Sequence, residues 1–346
     1  MRCYNLHKCI RKKEFILDIQ TVSSQDLTLG ALFTEFYVVP DFQREFVWED
    51  DAVNQLLQDL FIEFRADNTS LESEYFLGSM VVCVGPEGVY ELIDGQQRIT
   101  TAFLIFCAIR DHLKGLKASP IAELNHKISA YDIDREGKEI FRQRVSLLYE
   151  DSSGLMEAIG SENAKIDEIP EDTRSIRNIL NAYRFVRKFL QEEIGEDQAE
   201  IRAFYVYLTR NVKLSRVKTV SVGHALKVFE TMNNRGVGLD TMDLLKNLMF
   251  MYTPPNQYHI LREKWKDIVD TLFNAGGRPL GQTYREERIF RFLNYFIVSN
   301  YRGYIRSQED LYEWIVRHDY SCGYKQQPLE FVDSLVEALR SYRYAF

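Results

Sequence analysis

Apolar residues along most of this chain recur at spacings of three and four, the pattern of amphipathic helices. In residues 49–64 the apolar stripe follows an acidic start, which favours a helix N-terminus. Residues 99–113 are so apolar that they predict a core helix. Further helices are predicted over residues 172–193, 201–208, 222–233, 241–252, 258–273, 285–300, 308–316 and 329–344. The pattern therefore predicts a mostly helical α+β protein.

The strand signals are fewer and lie mainly in the first third of the chain. Residues 37–40 predict a short strand, and residues 76–84 and 89–93 flank a Gly-Pro-Glu-Gly cluster typical of a hairpin. Residues 212–222 predict another strand, which we expect to join the same sheet. Ser24 or Asp26 is positioned to cap a short helix that runs to Phe36. The secondary structure of residues 125–151 stays ambiguous between helix and strand.

Composition and charge narrow the classes of function. The 346 residues carry 43 Lys and Arg against 51 Asp and Glu, a net charge of −8, so any contact with DNA must be local. Five scattered cysteines without a CxxC pair argue against a disulfide framework or a zinc cluster. The longest apolar run, residues 102–109, is too short to cross a membrane. We expect a cytoplasmic protein without a membrane partner.

The sharpest chemical signal is the segment Asp94-Gly95-Gln96-Gln97-Arg98, where a strand turns directly into a helix. The first N–H groups of a helix lack internal partners and attract phosphate. Arg98 offers a fork for phosphate, the two glutamines can orient water, and hydroxyls follow at Thr100 and Thr101. Asp94 can cap the helix or hold a metal ion. The ordinary alternative is a plain cap, with Arg98 paired to a carboxylate.

Two further segments carry polar residues among aromatic or helical ones. Gln43 and Arg44 stand between a strand end and a helix start, where they could make a second anion contact. The ordinary alternative is that the aromatic residues around them pack in the core and Arg44 lies on the surface. Asn233, Arg235 and Gly236 lie at a helix–turn–helix corner. A DNA-reading helix there is disfavoured because residues 241–252 are too apolar.

A basic stretch supports a different reading, a DNA-binding specificity module without hydrolysis. Residues 202–218 contain five basic residues, no acidic residue and interleaved aromatic residues; the DNA contacts predicted from it are Arg210, Lys213, Arg216 and Lys218. The ordinary alternative is that these basic residues only form a solvated surface. A third reading, direct nuclease action through Glu136 and Lys138, rests on a three-residue fragment, and we expect no DNA cleavage by it.

Other catalytic signatures are missing from the sequence. It contains no P-loop, no GxGxxG and no HExxH, and its six histidines are dispersed, which argues against an HNH-type nuclease site.

In their order, three segments resemble the N-terminal domain family of GmrSD-type restriction endonucleases, the DGQQR proteins, which include SspE-like defence proteins. The matching segments are PDFQREFVW, FLGSMVV with LIDGQQRITT, and FETMNNRGVGLDTMDLLK. The resemblance covers about residues 25–250.

This resemblance implies a ParB/sulfiredoxin-like α/β nucleotide-binding core over residues 21–120, after an arm at 1–20 and before a helical domain at 121–346. It implies binding and hydrolysis of a nucleoside triphosphate in a modification-dependent anti-phage restriction system, and the choice among GTP, ATP and CTP stays open. By analogy with phosphoryl transfer we also expect Mg²⁺, whose ligands stay unassigned. The implied catalytic residues are Asp94, Gln96, Gln97 and Arg98; the implied nucleotide contacts are Gln43, Arg44, Gly95, Thr100, Thr101, Asn233 and Arg235.

Partners are implied in the same way. They are DNA, which in this family includes modified phage DNA, and a nuclease domain or subunit that we expect this chain to lack. The sequence leaves open whether a second copy of the chain is also a partner.

Overall fold

A mixed sheet packed with helices on both of its faces organises the chain. The computed structural model describes residues 22–66, 73–85, 88–148, 153–162, 166–233, 241–273, 282–303, 305 and 309–345. The strands are β1 (Ser23–Thr28), β2 (Tyr37–Val39), β3 (Tyr75–Val84), β4 (Tyr90–Asp94), β5 (Ser129–Ile133), β6 (Glu139–Gln143), β7 (Val145–Leu147) and β8 (Val212–Thr219).

Helices fill most of the remaining described chain. They are α1 (Leu29–Leu32), α2 (Asp50–Ala66), α3 (Gln96–Gly115), α4 (Ala122–Ile128), α5 (Ser153–Gly160), α6 (Arg174–Glu193), α7 (Gln198–Arg210), α8 (Val222–Asn233), α9 (Thr241–Tyr252), α10 (Tyr258–Phe273), α11 (Gln282–Tyr301), α12 (Glu309–Arg317), α13 (Asp319–Cys322) and α14 (Pro328–Ala345). The predicted α+β, mostly helical class is confirmed. The ParB-like relation stays a prediction.

Six strands form the main sheet in the order β1-β8-β3-β4-β2-β7. The predicted hairpin is confirmed, since β3 and β4 pair antiparallel. Strand β8 lies between β1, to which it is antiparallel, and β3, to which it is parallel. Strands β5 and β6 form a separate antiparallel pair.

Alternate side chains of the central strands face two different apolar clusters. Met80 and Val82 of β3 face the first cluster, which also contains apolar residues of α1 to α7. Val81 and Cys83 face the second, built mainly from α8 to α12 and α14. Because strand side chains alternate, one strand anchors both clusters. No helix of the described residues is long and apolar enough to cross a membrane.

The structure corrects one local prediction and defines a segment that the sequence left ambiguous. The helix predicted from Ser24 to Phe36 is wrong at its start, because residues 23–28 pair with β8 as a strand, and the helix occupies only 29–32 with Thr28 as its cap. The ambiguous residues 125–151 contain the end of α4 and strands β5, β6 and β7. The proposed division at residue 120 stays a prediction, although α3 packs on α6 across it. The predicted arm lies outside the described residues.

Candidate functional site: the cleft at the DGQQR turn

A cleft of about 210 Å³ lies where β4 ends and α3 begins. Three parts of the chain line it: the loop after β2, the turn between β4 and α3, and one face of α8 and α9. The lining residues are Phe42, Gln43, Arg44, Trp48, Ile93, Asp94, Gly95, Gln96, Gln97, Arg98, Phe229, Asp243, Lys246 and Asn247. The structure thus brings together the predicted groups at 43–44 and 94–98.

The turn depends on Gly95, which precedes the first residue of α3 with a φ of 86°. This left-handed conformation favours glycine, and a Cβ at this position would lie 3.0 Å from the Met80 Cβ. The first intrahelical bond runs from Ile99 N–H to the Gly95 carbonyl at 3.1 Å. The backbone N–H groups of the first turn therefore lack intrahelical acceptors, as the sequence predicted for an anion site.

Asp94 lies at the end of β4 and does not cap α3 through its side chain, since Gly95 occupies the cap position. Burial raises the pKa of the Asp94 carboxyl above its usual value, although Arg98, the Gly95 N–H and Arg44 oppose the shift. A carboxylate held in this way favours a nearby cation.

Gln97 holds the loop before α2 through its whole amide group. Its Oε1 accepts from the N–H of Val47 at 2.9 Å and of Trp48 at 3.2 Å. Its Nε2 donates to the carbonyl of Glu45 at 3.0 Å. All of this side chain's polar atoms are engaged with the backbone of the loop. The structure therefore places Gln97 as a clamp that shapes one wall of the cleft.

Gln96 is bonded on one side only. Its Nε2 donates to the Arg44 carbonyl at 2.9 Å, whereas its Oε1 is buried without a hydrogen-bond partner among the described residues. The Nε2 of Gln43 is also buried and lacks a partner there. Both side chains are 7% exposed. Unpaired buried polar atoms are costly, so two of them in one cleft indicate a polar ligand or water.

Arg98 binds the neighbouring strand. Its Nη1 donates to the Leu77 carbonyl at 2.9 Å and its Nη2 to the Ser79 carbonyl at 2.7 Å. These carbonyls flank Gly78, whose φ of 107° lies at an irregularity in the pairing of β3 with β8. The guanidinium still lines the cleft, but its fork is directed to protein carbonyls. Its charge reaches Asp94, which it stabilises as a carboxylate.

The two threonines after the motif lie inside the protein. Thr100 is 1% exposed and Thr101 is fully buried, and neither lines the cleft. The Thr101 hydroxyl donates to the Gln97 carbonyl at 2.8 Å within α3. The structure thus does not bring these two predicted nucleotide contacts to the cleft.

Helix α9 contributes three cleft residues that were not predicted: Asp243, Lys246 and Asn247. They stand at spacings of three and four on an otherwise apolar helix, and this polar face is the signal that could have identified them. Burial lowers the pKa of Lys246, while Asp243, Glu45 and Asp41 oppose the shift. Lys246 Nζ also lies 3.5 Å from the Gln43 carbonyl.

The helix–turn–helix corner is only partly described. Phe229 of α8 lines the cleft and is 6% exposed. Asn233 is the last residue of α8, and its side chain lies outside the described part of the structure, as does all of Arg235. Their predicted nucleotide contacts stay predictions.

The aromatic residues near Gln43 and Arg44 do pack as the plainer reading expected. Phe42 contacts Phe250 with ring centroids 4.8 Å apart, and Phe46 is buried in the first cluster. Gln43 and Arg44 nevertheless line the cleft. The aromatic packing is therefore confirmed for Phe42 and Phe46, and the anion contact of Gln43 and Arg44 stays a prediction.

Most of the predicted DNA-binding stretch is engaged within the protein. Arg216 is 6% exposed, forms an ion pair with Glu35 and donates to the Tyr37 hydroxyl at 3.2 Å. This burial removes Arg216 from the predicted basic surface. Lys218 donates to the Tyr90 hydroxyl at 3.0 Å.

The other two predicted contacts lie nearer the surface. Lys213 pairs with Glu74, and Arg210 is exposed at the end of α7. Glu136 and Lys138, the nuclease fragment, are exposed in the turn between β5 and β6. Among the residues that the structure describes, no group of three or more His, Cys, Asp or Glu side chains could hold a metal ion.

Comparison with models of known protein families gives a match over most of the chain. The model of the family described as GmrSD restriction endonuclease, N-terminal domain, matches residues 20–250. This span contains every residue that lines the cleft. No curated protein sequence matches the chain.

Proposed function

The chain belongs to the family of GmrSD restriction endonuclease N-terminal domains, which makes it a restriction-system component, and we propose that it binds and hydrolyses a nucleoside triphosphate in the cleft at the DGQQR turn. The observation that supports this proposal is the set of positively charged side chains that line the cleft. Arg44, Arg98 and Lys246 line the same cleft as the start of α3. Helix starts and basic side chains are the usual partners of phosphate groups.

The existing contacts of Arg98 and the burial of Lys246 indicate which of these basic side chains would bind the phosphates. Arg98 uses two of its nitrogens on the carbonyls of β3, so it acts mainly through its charge. The Lys246 ammonium has a lowered pKa because burial disfavours its charged form. An anionic ligand offsets that cost, so we assign Lys246 to the phosphates. Arg44 is assigned with it because it is a further cation that lines the cleft.

The cleft also suits Mg²⁺ when the nucleotide supplies further ligands. Mg²⁺ in phosphoryl-transfer sites is held by one or two carboxylates together with substrate phosphates. Among the residues that the structure describes, Asp94 and Asp243 supply the carboxylates that line the cleft, and they would hold the ion. Its contribution would be to neutralise the charge that develops on the phosphates.

The decisive test removes one cleft charge. Lys246→Gln is expected to weaken binding of Mg²⁺-GTP, ATP or CTP by at least about tenfold, because one charged hydrogen bond to phosphate is lost. Lys266→Gln, which removes an exposed lysine of α10, is the matched control and is expected to bind like the unaltered protein. Binding is measured by calorimetry and hydrolysis by phosphate release.

The proposal fails if the unaltered protein binds none of the three nucleotides, or if Lys246→Gln binds like Lys266→Gln. The nucleotide panel identifies the base at the same time. A preference among the three would show as a difference in affinity of the unaltered protein.

Partners belong to the same proposal. We propose that modified DNA controls the hydrolysis and that a nuclease domain or subunit cuts the DNA. Support comes from the family, together with the exposed Arg210 at the end of α7. Hydrolysis measured with and without modified DNA tests the first point. Loss of a DNA effect at high salt would indicate phosphate contacts, whereas an effect of DNA indifferent to salt would contradict them.

A further inference from the structure

The buried oxygen of Gln96 restricts what the cleft can hold next to it. Donation from Nε2 to the Arg44 carbonyl at 2.9 Å fixes which end of the amide is which. Oε1 is therefore the atom left without a hydrogen-bond partner among the described residues. An amide oxygen can only accept a hydrogen bond. Its ligand must supply a hydrogen-bond donor or be a cation.

This requirement excludes the phosphate groups as partners of Gln96. The oxygens of an ionised triphosphate also only accept hydrogen bonds, so they cannot satisfy Oε1. Gln43 also lines this cleft, and its Nε2 is a donor without a partner among the described residues, so a cation bound beside that group would be disfavoured. A hydroxyl oxygen fits both groups, because it donates one hydrogen bond and accepts others.

We propose that Gln96 Oε1 and Gln43 Nε2 form a subsite for a hydroxyl-type oxygen, either the water that attacks the nucleotide or a hydroxyl of its sugar. This inference rests on the proposed nucleotide function. It separates the two motif glutamines: Gln96 contacts the ligand, and Gln97 holds the loop.

If the subsite holds the attacking water, the hydrolysis step is as follows. The water oxygen forms a bond to the γ-phosphorus, and the bond from the γ-phosphorus to the β–γ bridging oxygen breaks. The bridging oxygen leaves with the electron pair on the nucleoside diphosphate, and one water proton is released to solvent. Gln96 Oε1 orients the water through a hydrogen bond and takes no proton. Gln96 is then a residue that positions the nucleophile.

The chain offers a matched control for removal of an unpaired amide. Gln143 is 6% exposed, and its Oε1 is also buried without a hydrogen-bond partner among the described residues. It ends β6, and it does not line the cleft. Gln96→Met and Gln143→Met therefore remove the same kind of group at two places.

The experiment measures turnover and, with a non-hydrolysable analogue, affinity. Analogues that lack the 2′- or 3′-hydroxyl are compared with the ribonucleotide. If Gln96 holds the water, Gln96→Met lowers kcat by about tenfold or more and leaves affinity unchanged. If it holds a sugar hydroxyl, affinity for the ribonucleotide falls to that for the analogue lacking the hydroxyl, which itself is unaffected. Either result supports the subsite.

Three results overturn it: Gln96→Met behaves like Gln143→Met, it weakens all nucleotides equally, or Gln43→Met leaves both kcat and affinity unchanged. Melting temperatures of all three variants identify any that is unfolded, and Gln43→Met then provides the test if Gln96→Met fails to fold. Absence of nucleotide binding by the unaltered protein would instead refute the proposed function, so the two failures are distinguishable.

Discussion

Replacing Gln97 with leucine should release the loop before α2. Gln97→Leu keeps the approximate size of the side chain but removes three hydrogen bonds, two from the N–H groups of Val47 and Trp48 and one to the Glu45 carbonyl. At about 1 kcal/mol net for each bond, the loss is about 3 kcal/mol. For a chain of this length this lowers the melting temperature by about 4 °C.

Hydrogen exchange gives the direct measurement. The amides of Val47 and Trp48 donate to Gln97 Oε1, so they should exchange up to about 100-fold faster in Gln97→Leu. Gln97→Glu keeps an acceptor for both amides and should fall between the two proteins. Gln191→Leu, on the exposed surface of α6, is the control without these bonds.

One result would refute the clamp. If Gln97→Leu loses nucleotide turnover while the exchange of these two amides and the melting temperature stay unchanged, Gln97 acts on the ligand and not on the loop.

Three further predictions follow from the same geometry. Gly78→Ala should destabilise the protein by more than about 2 kcal/mol, because φ is 107° and the new Cβ would collide with the Arg98 guanidinium; thermal unfolding measures it. Nucleotide affinity should fall as pH rises through the lowered pKa of Lys246, which is below the usual lysine value of 10.5, and Lys246→Arg should remove this alkaline loss; titrations of affinity against pH measure it. Arg216→Met should cost about 2 kcal/mol, because it removes the charged hydrogen bond of the buried guanidinium to Glu35 and its bond to the Tyr37 hydroxyl, as denaturant unfolding would show.

Each of these has a control within the chain. Gly88 also has a positive φ of 78° but an open surrounding, so Gly88→Ala should cost only about 1 kcal/mol. A cost for Gly78→Ala no larger than this would contradict the collision. An alkaline loss that persists in Lys246→Arg would exclude Lys246 as its cause. Arg210→Met, at an exposed position, should change stability by less than about 0.5 kcal/mol, and an equal cost for Arg216→Met would contradict its burial.

Local sequence was sufficient to find the turn. Apolar runs on both sides of a Gly-Pro-Glu-Gly cluster, a glycine after Asp94 and an apolar helix predicted the strand, turn and helix that the structure contains, because these elements depend on neighbouring residues. The same reasoning was wrong for residues 23–28. Their conformation depends on pairing with β8, almost 200 positions away, which no local pattern specifies.

The roles of the motif side chains depend on distant partners. Gln97 and Gln96 were predicted to act alike, yet Gln97 binds the loop 50 positions earlier through both ends of its amide. The Gln96 Oε1 has no hydrogen-bond partner among the described residues. Arg98 was predicted to bind phosphate, and its fork binds the carbonyls of β3. Lys246 was not predicted as a site residue, because the many apolar residues of its helix indicated a core helix.

The sequence by itself determined the family, the helical character of the chain and the position of the turn, since motif, periodicity and glycine placement are local properties. Only the tertiary structure decided which side chains face the cleft and which are used to build it. The physical reason is that a glutamine or an arginine has the same chemistry in either role. Whether its hydrogen bonds are already made by the backbone depends on strands and loops that folding brings beside it.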